Sequence, residues 1–181
     1  MPGSLNEGRR PGGERAAGAG KRALRASRWS GVLLALAMQS NMASAQRVRV
    51  TNIADVSFGL ISNLQADSRQ SQSLCVFSQG TGGAYSVSAS GSGAGAAFTL
   101  SSGSDALPYE VEWSPQSGQA TGTSLMPGVP LTGQTSAATQ QSCNSGPATS
   151  ASLTIVLRAA QLSQARQGSY SGSLTLLVAP E

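Results

Sequence analysis

The sequence predicts an all-β domain, a β-sandwich of about seven short strands. Two observations predict it. Apolar residues recur with a period of two rather than 3.6. Gly, Pro and Ser clusters separate those runs at short intervals. A composition dominated by Ser, Thr, Gly, Ala and Gln suits a disordered chain as well, and the period of two is what argues for strands. A closed barrel is the architectural alternative.

The strands follow in order. In "RVRVTNIADVSFG", Val48 and Val50 alternate with Arg47 and Arg49; after a turn, Val56 and Phe58 flank Ser57. "SQSLCVFS" is a nearly continuous apolar run, as expected of a central strand covered on both faces. "GGAYSVSAS" alternates Tyr85, Val87 and Ala89 with Ser86 and Ser88, and "QGTGG" before it predicts a hairpin between the two runs. "AFTLSSG" is a short strand after a small-residue loop. "LPYEVEWS" alternates most clearly, with Tyr109, Val111 and Trp113 on one side and Glu110 and Glu112 on the other, a solvated face. "SLMPGVPLTGQ" is a Pro-marked edge segment, and "SCNSGPATS" a loop carrying Cys143. "ASLTIVLRA" points Leu153, Ile155 and Leu157 inward, and "AAQLSQARQG" suits one helical turn. The last strand, "GSYSGSLTLLVAPE", places Tyr170, Leu174, Leu176 and Val178 on one face and Ser171, Ser173 and Thr175 on the other.

The first 45 residues are of another kind. Seven basic residues, from Arg9 to Arg28, precede the apolar run "WSGVLLALAM", and Ala43-Ser44-Ala45 follows. This is the pattern of a signal peptide, with cleavage expected between Ala45 and Gln46. The basic region is long for a leader, which a start codon assigned too far upstream would explain. The apolar run is too short for a stop-transfer span, so no membrane span is expected in the mature form. Residues 46–181 then form one domain of about 136 residues.

Removing the leader reverses the charge reading. The whole chain has 12 Lys+Arg against 8 Asp+Glu. From Gln46 onward, five Arg (47, 49, 69, 158, 166) face six acids (Asp55, Asp67, Asp105, Glu110, Glu112, Glu181), a net charge of −1. A nucleic-acid partner loses its electrostatic support. With no His in the chain and no Lys after the leader, His-based catalytic pairs, Ser-Lys pairs and Schiff-base chemistry are excluded. Glu110 and Glu112 are neighbours on one strand face, not carboxylates flanking a substrate. "GTGG" and "GSGAG" lack the context of a phosphate loop. No enzyme activity, metal or cofactor is expected.

Cys75 and Cys143 are the two cysteines. In an exported chain they read as one disulfide, closing a loop of about 68 residues. A usual zinc set needs about four ligands and is out of reach.

The last strand raises a question of its own. Monomeric sandwiches protect exposed strand edges with Lys, Pro or bulges. Neither Lys nor Pro occurs between Tyr170 and Val178. An edge covered by the chain's own loop is one solution, and a strand lent by another chain is the other.

"VSFG", "LCVFS", "LPYEVEW", "SCNSGPA" and the terminal "GSYSGSLTLLVAPE" together resemble the spore coat protein U domain, which is similar to the pilins of archaic chaperone–usher pili. The resemblance covers nearly all of 46–181. It implies an immunoglobulin-like sandwich that is incomplete and is completed by a donor strand. It also implies a periplasmic chaperone, an outer-membrane usher and other pilus or coat subunits as partners. The chain would pass through the periplasm to the cell surface or be secreted, with a role in adhesion or biofilm formation. Tyr170, Leu174, Leu176 and Val178 would form the strand-exchange edge. Val48 and Val50 would serve as first strand or minimal donor, because cleavage leaves only "QRVRV" ahead of "TNIADVSFG". The competing reading is a soluble secreted module that binds carbohydrate or another surface ligand through Tyr85, Tyr109, Trp113 or Tyr170.

Overall fold

In the computed structural model the described residues are 46–144 and 146–181. The expected leader, 1–45, lies outside them, and the expected cleavage site sits at their border. Among the described residues the fold is all-β apart from one helical turn and two short 3-10 turns. The strands are β1 (Val48–Thr51), β2 (Ser68–Ser78), β3 (Ala84–Gly91), β4 (Thr99–Ser102), β5 (Asp105–Pro108), β6 (Glu110–Ser114), β7 (Thr123–Ser124), β8 (Leu131–Thr135), β9 (Ala151–Leu157) and β10 (Leu174–Pro180), with α1 at Ala159–Leu162. They form an antiparallel five-stranded sheet, β1-β2-β9-β6-β7, a three-stranded sheet, β10-β3-β8, and the hairpin β4-β5.

The two larger sheets share one core. Leu74, Val76, Val111, Trp113 and Leu153 face it from the first; Tyr85, Val87, Ala89 and Val178 face it from the second. The buried Trp113 indole N–H donates to the Tyr85 hydroxyl at 3.2 Å, and the rings meet edge to face at 6.3 Å. Each aromatic thus satisfies the other's polar atom while burying its ring. Burial pushes the Tyr85 phenol up to about 12, so it stays a neutral hydrogen-bonding group.

Four local expectations are corrected. "QGTGG" does not close a hairpin: β2 pairs with β1 and β9, whereas β3 pairs with β10 and β8. The turn carries the chain between sheets. Gly82 and Gly83, at φ 65° and 80°, permit its tightness, and the Ser78 hydroxyl accepts from Gly80 N–H and donates to the Ala84 carbonyl.

"LPYEVEWS" is two strands. Pro108 has no N–H to extend a ladder, and Tyr109 N–H turns to the Phe98 carbonyl instead. This split, the β4-β5 hairpin and the two-residue β7 raise the strand number above the seven or so expected.

The stretch around Val56 and Phe58 is not a strand. Asn52, at φ 64°, turns the chain away from β2, and 52–61 follows an irregular path.

Glu112 is buried rather than solvated. Arg69 Nη1 donates to both its carboxylate oxygens at 3.1 and 3.0 Å, and Gly122 N–H donates to Oε2 at 3.2 Å. Glu112→Ala strands the Arg69 charge and the Gly122 donor. It should cost about 1–3 kcal/mol, below the range for a fully buried pair because Arg69 is one-third exposed. Urea unfolding measures it, and Glu112→Gln, which keeps an acceptor, should lose less.

A second clamp ties β9 to its neighbours. Arg158 reaches Asp67 at 2.7 Å and Glu110 at 2.5 Å, and Ala159 N–H donates to Asp67 Oδ1 at 2.9 Å. The Ala159 N–H and then the Arg158 guanidinium hold the Asp67 carboxyl below its usual range; Arg158 does the same to Glu110. Carboxylates with lowered pKa values stabilise the fold above their unfolded values and lose that contribution as pH falls through their folded ones. Arg158→Ala should therefore be less stable than the parent at neutral pH, and the difference should shrink below roughly pH 4 in a pH series of thermal melts.

Candidate strand-acceptor groove

The last strand begins at Leu174, not at Tyr170. Ser171 pairs instead with Ser101 of β4, and Gly172 passes so close to the Thr99 carbonyl that a Cβ would collide with it. Within β10 the expected alternation holds. Leu174 and Leu176 are half-buried and Val178 is buried, all packed against the core, while Leu177 is 67% exposed.

One edge of β10 is occupied and the other is open. Glu181 N–H donates to the Ala84 carbonyl, so the odd-numbered residues of β10 face β3 in the antiparallel ladder. The N–H and C=O groups of Leu174, Leu176 and Val178 therefore point away from β3. Among the described residues none of these groups has a backbone partner. β1 approaches β10, but no ladder joins them.

A groove of about 1330 Å³ opens on this side. Its floor is apolar: Leu107, Tyr109, Leu153, Ile155 and Leu157. One bank is the segment 53–61, and the other runs from Arg166 to Leu174 and Leu176. The first bank is itself poor in backbone bonds. Ala54 N–H donates to the Gln72 side chain and Gly59 N–H to the Ser57 hydroxyl, both side-chain acceptors. Ile53 and Leu60 on this bank are 55% and 95% exposed. An apolar floor beside an open strand edge can take an extended chain: its side chains would fill the floor and its main chain would continue the ladder.

The other sites expected from sequence fall as follows. Cys75 and Cys143 are bonded to each other with Cα atoms 6.1 Å apart, tying the loop that precedes β9 to β2. Val48 and Val50 pair with Ser78 and Val76 in β1, the first strand of the described residues. Tyr170 lines the groove bank, its hydroxyl donating to the Arg166 carbonyl at 3.0 Å. Tyr85 and Trp113 are fully buried, which withdraws them as sugar-stacking platforms, while Tyr109 lies on the groove floor. Their place on the inward phase of strands already favoured the core.

The bank at 53–61 was missed as a site. "NIADVSFGLIS" carries the signal in its unpaired exposed apolar residues, but its alternation reads as an ordinary strand. Among the described residues there is no cluster of three or more potential metal-ligating side chains, and no helix is long and apolar enough to cross a membrane.

No family model matches the chain, and no curated protein matches it. Solved structures do. One is a chain from a study titled "Chaperone-tip adhesin complex is vital for synergistic activation of CFA/I fimbriae biogenesis", with 15% identity and a TM-score of 0.48. The match covers 75% of this chain and 41% of that one, so this chain spans about two-fifths of its neighbour's length.

Proposed function

We propose that the protein is a non-catalytic structural subunit of a surface fibre or coat, of the kind the spore coat protein U resemblance implies, whose sandwich is completed by a β-strand from another chain. The observation that carries this reading is the open edge at Leu174, Leu176 and Val178 standing beside an apolar groove of about 1330 Å³. Such an edge is an aggregation hazard unless a partner is meant to occupy it. The partners in this reading are a periplasmic chaperone, then an usher and neighbouring subunits, after export from the cell. If cleavage falls after Ala45, only Gln46 and Arg47 precede β1, and the subunit accepts a strand without donating one. That suits a terminal position in a fibre, or a coat. The secreted carbohydrate-binding alternative loses two of its four aromatic candidates, Tyr85 and Trp113, to the core.

The test is a synthetic peptide with apolar residues at alternate positions. At a hundredfold excess over its Kd it should stabilise the exported protein by about 2.7 kcal/mol, a rise of roughly 10 °C in Tm. N-methylation of the peptide amides that face β10 should weaken binding about a hundredfold, because three main-chain bonds contribute about 1 kcal/mol each. A cooperative transition that the peptide leaves unmoved overturns the reading.

A further inference from the structure

We propose that residues 52–61 form a movable strap with a second seat on the outer edge of β2, and that the strap moves to this seat when a strand enters the groove. The inference rests on the groove being a strand acceptor and names how its opening is controlled. Four observations lead to it. Val48 and Val50 share one phase of a period-two pattern with Val56 and Phe58 beyond the turn, so a single register could carry both runs on one strand. The chain leaves that path at one residue, Asn52, at φ 64°, where its side-chain amide donates to the Ala148 carbonyl at 3.2 Å. The strap then makes no backbone–backbone hydrogen bond to any strand among the described residues; its tie to β2 is Ala54 N–H donating to the Gln72 side chain at 3.0 Å.

The fourth observation is the vacant seat. β1 pairs with β2 only over Cys75–Ser78. Further back, Arg69, Ser71 and Ser73 present the same edge with no backbone partner among the described residues, because the even-numbered residues of β2 serve β9. Continuing the Thr51–Cys75 register would set Ile53 opposite Ser73, Asp55 opposite Ser71 and Ser57 opposite Arg69. Val56 and Phe58 would keep their inward phase. The strap's backbone would gain the ladder it lacks, and the gap facing β10 would widen for the incoming strand. A left-handed Asn is inexpensive, whereas a β-branched residue there is strained, so position 52 acts as the hinge.

Hydrogen exchange on the exported protein tests this at six amides: Ile53, Asp55, Ser57, Arg69, Ser71 and Ser73. Asn52→Val should slow all six at least tenfold without any ligand, by driving the strap onto β2; unchanged rates overturn the proposal. Asn52→Gly keeps the left-handed turn but loses the bond to Ala148, and should exchange as the parent does. Slowing there equal to that in Asn52→Val overturns the hinge. The alternating apolar peptide added to the parent protein should slow the same six amides. Peptide binding without that slowing overturns the strap and leaves the acceptor groove standing. A slowed Asn52→Val variant that binds no peptide supports the second seat and overturns the acceptor groove.

Discussion

Leu176→Lys should weaken strand uptake about a hundredfold or more, while Leu177→Ser leaves it within about threefold of the parent. The two residues are adjacent in β10 and lie on opposite faces. Leu176 is half-buried and lines the groove; Leu177 faces outward and is 67% exposed. In the free subunit a Lys at 176 can send its ammonium out through the open groove, so the variant should fold with a Tm close to the parent's. Once a strand lies beside β10 that exit closes. The charge must then be desolvated against the apolar floor or the strand expelled, a cost of several kcal/mol. The expected loss in affinity for the alternating peptide is a hundredfold or more, read by calorimetry or by the peptide-induced Tm shift. Equal affinities for the two variants would mean that the strand does not lie along β10.

Loss of the disulfide should be the largest change in intrinsic stability. Cys75→Ala with Cys143→Ala should lower the unfolding free energy by about 4 kcal/mol, as the chain-entropy account gives for a loop of this length, with a fall in Tm of roughly 10 °C or more. The sequence separation is 68 residues, so the bridge removes much freedom from the unfolded chain. It also fixes a loop whose other ties include the backbone bonds Ser136 N–H to the Gly83 carbonyl and Ser150 N–H to the Leu74 carbonyl, together with serine hydroxyls. Ser150 Oγ accepts from Val76 N–H at 2.9 Å and donates to its carbonyl at 2.8 Å, and the Ser136 hydroxyl donates to the same carbonyl. Both cysteines are buried, so the alanines leave small voids that add to the loss. Urea midpoints of the oxidised parent and the double variant measure it. A difference below about 1 kcal/mol would show that the hydrogen bonds hold the loop without the bridge.

The sequence by itself determined the fold class and most of the core. Alternation placed Tyr85, Val87, Tyr109, Val111, Trp113, Leu153 and Val178 inward, and each is buried. A strand has a fixed two-residue repeat, so facing is legible wherever apolar and polar residues truly alternate. The inward facing of Leu174 and Leu176 was legible for the same reason. Partners were not legible. Whether "QGTGG" closes a hairpin or crosses between sheets depends on which strands β2 and β3 find, and that is set by packing across the core, not by the turn residues. Glu112 has the same alternating neighbours as Glu110, yet only Glu112 is buried, because Arg69 of β2 and Gly122 of the loop before β7 close over it. The groove is the plainest case. In "NIADVSFGLIS" Val56 and Phe58 alternate as in a strand, yet the segment is not one: Asn52 is left-handed and 52–61 pairs with no strand among the described residues. Local pattern records which way a side chain would face in a strand, and only the tertiary arrangement decides whether a neighbouring strand is there to make it one.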